Sequence, residues 1–124
     1  MIPIRVHHIS FGVSDLERSK RFYEEILELE PIARPEMGLG GAWYRAGDAE
    51  VHLIAVPDGV DVGSNPEKVN PLANHQAFGI DDYQQILDRL KARGVEILET
   101  NPKLGQMWIG DPDGNVIELI SRAG

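Results

Sequence analysis

His8-Ile9-Ser10-Phe11-Gly12-Val13-Ser14, near the start of the chain, returns in altered form as His75-Gln76-Ala77-Phe78-Gly79-Ile80-Asp81 past its middle. Each copy alternates side chains at the period of a half-buried strand. Ile9, Phe11 and Val13 form one face, while Val6, His8, Ser10 and Gly12 form the other. The first face suits packing on a helix; the second is small and polar enough to line a cavity. Ala77 and Gly79 repeat the small residues beside His75. His7 falls on the apolar parity and reads as a structural histidine.

The segments after the two strands repeat as well. Ser14 with Glu17, and Asp81 with Gln84, have the spacing of a capping box. Leu16, Tyr23, Ile26 and Leu27, and then Tyr83, Ile86, Leu87 and Leu90, recur at helical spacing. Gly94 after Arg93 suits a helix C-terminus. Three short strands are expected after each helix, at 30–36, 41–46 and 50–56 and at 95–99, 105–110 and 115–121. Gly41-Ala42-Trp43-Tyr44 aligns with Gly105-Gln106-Met107-Trp108, and on that alignment Tyr44 matches Trp108. Asp111-Pro112-Asp113-Gly114-Asn115 is a strong turn signal, with Gly47-Asp48 as its shorter counterpart. The pattern is α+β: two βαβββ modules related by a pseudo-twofold, with mixed, curved sheets. A single domain over 1–124 is expected, with module 1 at about 4–57, a linker at about 58–72 and module 2 at about 73–121. The linker is rich in Pro, Gly and Asn, a composition that also suits a lid.

Four ligand-type side chains occupy matching places in this repeat. His8 and His75 are 67 residues apart, and His52 and Glu118 are 66 apart. Glu118 has apolar neighbours on both strand parities, and a buried carboxylate must be paired, protonated or bound to a cation. Histidine nitrogens with a carboxylate oxygen suit Zn, Ni, Co, Mn or Fe. A divalent metal at His8, His52, His75 and Glu118 is therefore expected, though His8, His75 and Glu118 alone would make a complete site. On a six-coordinate ion, four protein ligands leave two positions for a bidentate substrate.

Composition limits the alternatives. A chain of 124 residues with net charge −8 repels phosphate backbones, which excludes nucleic acid as a partner. It still allows a small anion near Arg5, Arg34 or Arg45. Cysteine is absent, so disulfides, thiolate ligands and a cysteine nucleophile are excluded. No long apolar run marks a leader or a membrane span, and a cytoplasmic location is expected.

The segments His7-His8-Ile9-Ser10-Phe11-Gly12-Val13-Ser14-Asp15-Leu16-Glu17-Arg18-Ser19 with Phe22-Tyr23, Asn74-His75-Gln76-Ala77-Phe78, and Asp111-Pro112-Asp113-Gly114-Asn115-Val116-Ile117-Glu118-Leu119 resemble the vicinal oxygen chelate superfamily. That group includes glyoxalase I, methylmalonyl-CoA epimerase, extradiol dioxygenases, fosfomycin-modifying enzymes and bleomycin-binding proteins. The resemblance implies paired βαβββ modules curved around a metal, a homodimer, and metal positions at His8, His52, His75 and Glu118. It also shows departures. Glyoxalase I has a glutamate where His52 stands and an arginine where Gly12 stands, and the epimerase has a glutamine at His52. Fosfomycin enzymes have threonine and tyrosine where Ser10 and Trp108 stand, and their potassium-binding loop has no counterpart here. Bleomycin-binding members generally lack the ligands.

The resulting expectation is a metal-dependent, glyoxalase-like lyase or isomerase. It would act on a small substrate with vicinal oxygens through a metal-stabilised enediolate, with Glu118 as general base. Ser10, Tyr44, Trp108 and Arg45 are the candidate substrate contacts, whereas Glu36 reads as a solvated loop charge. The alternatives are an Fe(II) extradiol-type dioxygenase and a metal-free small-molecule binding or antibiotic resistance protein.

Overall fold

The computed structural model describes residues 1–121, so the last three residues of the expected domain lie outside the described ones. The chain divides into two compact units, Met1–Gly63 and Ser64–Gly124.

In the first unit the order is β1 (His8–Val13), α1 (Leu16–Arg21), a π-helical turn (Phe22–Ile26), β2 (Glu30–Ile32), β3 (Gly41–Ala46) and β4 (Ala49–Ala55). The strands form one sheet in the order β1-β4-β3-β2, with β1 parallel to β4 and the other pairs antiparallel. The second unit repeats the plan with β5 (His75–Ile80), α2 (Tyr83–Ala92), β6 (Leu98–Asn101), β7 (Gln106–Gly110) and β8 (Val116–Ser121). Its sheet runs β5-β8-β7-β6, again with one parallel pair, β5 with β8. The expected βαβββ repeat is therefore the observed fold.

Alternation sorts the strands as expected. Phe11 and Val13 of β1, Tyr44 of β3, and Val51 and Leu53 of β4 are buried on one face of the first sheet, as are Phe22 and Tyr23 in the π-helical turn. Met107, Ile109, Ile117 and Leu119 form the equivalent layer of the second sheet, and Leu87 and Leu90 of α2 are buried. Each such side chain removed from water contributes about 1.5–3 kcal/mol.

Three boundaries differ from expectation. β1 begins at His8 and leaves out Val6, which the alternation had included, and Ile2, Ile4 and Val6 before it are exposed. β2 stops at Ile32 instead of continuing to 36, and β6 starts at Leu98, three residues late. Both helix caps also fall one residue later than the capping-box spacing indicates. Asp15 accepts from the Arg18 amide and Asp82 from the Gln85 amide. Ser14 instead uses its hydroxyl to accept from Arg18 Nη2. In both helices the carboxylate is the side chain that meets the free amides and the positive end of the helix. Asp82→Ala should therefore cost about 1 kcal/mol in urea unfolding; an unchanged midpoint would contradict the cap.

At the end of α2 the Val95 amide donates to the Leu90 carbonyl and the Gly94 amide to that of Lys91. With Gly94 at φ +77, this is a Schellman ending. Gly47, at φ +60, opens the tight β3–β4 turn where a hairpin favours glycine. The 111–115 turn forms as read. Asp111 Oδ1 accepts from the amides of Asp113 and Asn115, and Asn115 Nδ2 donates to Asp111 Oδ2. Asn65, from the stretch read as linker, donates to the Asp113 carbonyl and to Asn115 Oδ1, so that part of the chain braces the turn.

Candidate metal and substrate site

On the face of the first sheet opposite the buried layer, β4 places His52 level with Ser10 of β1 and Trp43 of β3. The three strands are neighbours, so aromatic side chains on this face meet ring to ring. His52 lies parallel to Trp43 with centroids 4.1 Å apart, and on its other side stacks on His8 at 4.0 Å. His52 Nε2 is 2.9 Å from Glu50 Oε1 and donates to it in the tautomer that carries hydrogen there. This bond is the main reason the Glu50 carboxyl lies below its ordinary pKa, with the charges of His52, His7 and Arg45 acting in the same direction. His8 also shares a 2.8 Å Nδ1–Nδ1 contact with His7, an exposed neighbour rather than a core histidine.

The pKa of His8 is lowered, first by desolvation and then by the charges of His52 and His7. The folded chain therefore binds fewer protons than the unfolded chain just below the ordinary value of 6.5. The associated stability is present above that value and is lost as pH falls through the lower, folded pKa. Metal-free protein should thus become easier to unfold as pH drops from about 7.5 to about 5. His8→Gln should flatten part of that slope, and superimposable profiles for variant and wild type would refute the assignment.

The second sheet carries the matching row. Glu118 of β8 is level with Ala77 of β5 and Trp108 of β7. His75 Nδ1 donates to the Ala73 carbonyl at 2.8 Å, which turns Nε2 toward Glu118 Oε1 at 3.4 Å. Because a carbonyl only accepts, Nδ1 must hold the hydrogen, and the neutral ring then presents a lone pair at Nε2. A lone pair and a carboxylate oxygen facing each other are reconciled by a proton or a cation. Gln106 Nε2 donates to Glu118 Oε2 at 2.8 Å, fixing the other carboxylate oxygen. Trp108 packs edge-on against His75 and donates from Nε1 to Thr100 Oγ1.

The candidate ligands thus come as two pairs, His8 with His52 in one unit and His75 with Glu118 in the other. Among the described residues, no three His, Asp or Glu side chains stand in a metal-binding group. The donor chemistry of the second pair nonetheless fits a borderline divalent ion. Its histidine tautomer is set by a backbone carbonyl and its carboxylate is oriented by an amide, as outer partners commonly arrange for ligands.

The expected substrate contacts divide. Ser10 is exposed beside His52, and Trp108 is buried on the Glu118 face. Arg45 is exposed on the His52 face, level with Glu50. Tyr44 requires correction. It pairs with Val51 on the buried face, is wholly inaccessible, and donates its hydroxyl to Glu24 Oε2 at 2.7 Å. Burial first, and then this bond, push its pKa well above the ordinary range. Trp43, not Tyr44, is the counterpart of Trp108: each is level with the candidate ligand on the central strand of its sheet. Matching tryptophan to tryptophan would have revealed it. The supporting roles of Glu50 and Gln106 were not read from the sequence.

The chain belongs to the Glyoxalase/Bleomycin resistance protein/Dioxygenase superfamily, whose family model matches residues 5–119. It is 32% identical to metallothiol transferase FosB of Staphylococcus epidermidis, across 92% of this chain and 79% of that one. It is 28% identical to Glyoxylase I 4 of Arabidopsis thaliana, across 94% and 70%. Among solved structures, TnmS3, an antibiotic binding protein from Streptomyces sp. CB03234, superposes with a TM-score of 0.74 at 25% identity, covering 99% of both chains. Among the described residues, no helix is long and apolar enough to cross a membrane.

Proposed function

We propose that this chain is a metal-dependent lyase or isomerase acting on a small substrate with vicinal oxygens. The observation that carries the reading is His75 Nε2 turned toward Glu118 Oε1 at 3.4 Å, a pair of electron donors oriented from behind by Ala73 and Gln106. His75 and Glu118 are assigned as ligands, and His8 and His52 are the ligand candidates of the first unit. A divalent ion held by these residues would supply Lewis acidity toward two adjacent substrate oxygens.

The chain's own residues do the rest. Glu118 is the general base that takes the proton from the carbon beside the substrate carbonyl. Gln106 holds one of its oxygens, so the carboxylate is oriented before the substrate arrives. Trp43 and Trp108 offer flat apolar surface beside the ligands, and the Ser10 hydroxyl offers a hydrogen bond to a substrate oxygen. The relative from Arabidopsis thaliana that is named a glyoxylase supports this reading.

The test is proton exchange. Metal-loaded protein in deuterated water, given small hydroxyketones and hemithioacetals, should place deuterium at the carbon next to the carbonyl of at least one of them. The exchange should disappear with chelator. Failure of the entire set, with metal bound, would refute the proposed chemistry.

A second reading is favoured by the parallel stack of His8, His52 and Trp43. A flat aromatic ligand could extend that stack in a binding protein, as the antibiotic-binding neighbour suggests. Tight aromatic binding indifferent to chelator would select this alternative.

A further inference from the structure

Thr100 stands on β6, the outer strand of the second sheet, at the point where the pairing register slips. Glu99 pairs with Met107 but Asn101 pairs with Gln106, so Thr100 is an extra residue between two rungs. A bulge of this kind re-aims a side chain. Here the Thr100 hydroxyl oxygen lies 2.8 Å from Trp108 Nε1 and 2.8 Å from Gln106 Oε1. Trp108 is level with Glu118, and Gln106 is bonded to it.

The chemistry of the end groups fixes the direction of every hydrogen bond in this series. An indole N–H can only donate, so Thr100 Oγ1 is its acceptor. The hydroxyl hydrogen is then donated to Gln106 Oε1. That leaves Gln106 Nε2 to donate to Glu118 Oε2 at 2.8 Å, and an ionised carboxylate can only accept. Reversing the Gln106 amide would set its oxygen against the carboxylate and deprive the Thr100 hydrogen of its acceptor. Burial of Trp108 accounts for the indole bond by itself, since a buried N–H needs a partner. It does not require the hydroxyl hydrogen to meet Gln106.

We infer that Thr100 is a positioning residue for Glu118. By locking the Gln106 amide it holds Glu118 Oε2, so that Oε1 is the oxygen presented toward His75. The inference rests on the reading of Glu118 as ligand and general base, and it extends that machinery to the outer strand of the sheet.

The test compares wild type with Thr100→Val and Thr100→Ser by NMR on metal-free protein at fixed pH. It follows the Trp108 indole, the Gln106 side-chain amide and the Glu118 carboxylate carbon. Valine keeps the shape and removes the hydroxyl, whereas serine keeps the hydroxyl. In Thr100→Val the Gln106 and Glu118 signals should both move, and in Thr100→Ser they should stay close to wild type. Affinity for zinc, or for whichever of Ni, Co, Mn and Fe(II) the wild type retains, should fall about tenfold in Thr100→Val and recover in Thr100→Ser. A purely structural threonine would move the indole signal alone, and that result would overturn the assignment. So would equal metal affinity in wild type and Thr100→Val. If Thr100→Val does not fold, Thr100→Ala gives the same readings. If the Gln106 and Glu118 signals move in a protein that takes up no divalent metal, the metal reading fails and the positioning of Glu118 stands.

Discussion

Glu118→Gln should lower the rate of proton abstraction by about 10²–10⁴-fold, the usual contribution of a positioned general base. The substitution preserves shape and leaves an amide oxygen for Gln106 Nε2 to donate to, so the contact across β7 and β8 persists. What disappears is the negative charge facing His75 Nε2. Stability of the metal-free protein should change by no more than about 1 kcal/mol, since a buried charge is removed without opening a cavity. Unimpaired exchange of the substrate proton would move the base elsewhere. A variant that fails to fold would show that the carboxylate is a structural group.

Tyr44→Ala should destabilise the fold by about 3–5 kcal/mol, whereas Tyr44→Phe should cost about 1–2 kcal/mol and leave ligand binding unchanged. The ring is wholly buried near Tyr23, and its hydroxyl satisfies Glu24. Alanine opens a cavity of nearly a whole aromatic side chain; phenylalanine removes only the bond to the carboxylate. Chemical unfolding of both variants measures the difference. A well-folded Tyr44→Phe protein that had lost substrate binding would return Tyr44 to the site, against its position on the buried face.

The same residue shows how far sequence reading carries here. The alternation around His8 correctly separated the apolar layer from the polar face, because period 2 is a local property of a strand. The match between the two β3-like strands was not local. Aligning Gly41 with Gly105 put Tyr44 opposite Trp108, and a slip of one residue moves a side chain to the other face. Trp43, which stacks on His52, was lost by that slip. The caps erred for a related reason: Ser14 and Asp15, like Asp81 and Asp82, are adjacent cap formers, and helix geometry chooses between them. Arg34, read only as one possible neighbour of a small anion, could not be placed because β2 ends early, at Ile32, where strand pairing stops. Gln106 reaches Glu118 only through the register of a hairpin, and the bond between Glu50 and His52 depends on side-chain conformations that alternation does not specify.

Metal content measured by mass spectrometry tests the central claim most directly, on wild type and on His75→Ala after incubation with Zn, Ni, Co, Mn and Fe(II). About one divalent ion per chain is expected in the wild type, with affinity reduced at least tenfold when the histidine facing Glu118 is removed. No retained ion with any of these metals, or equal retention in His75→Ala, would contradict the account.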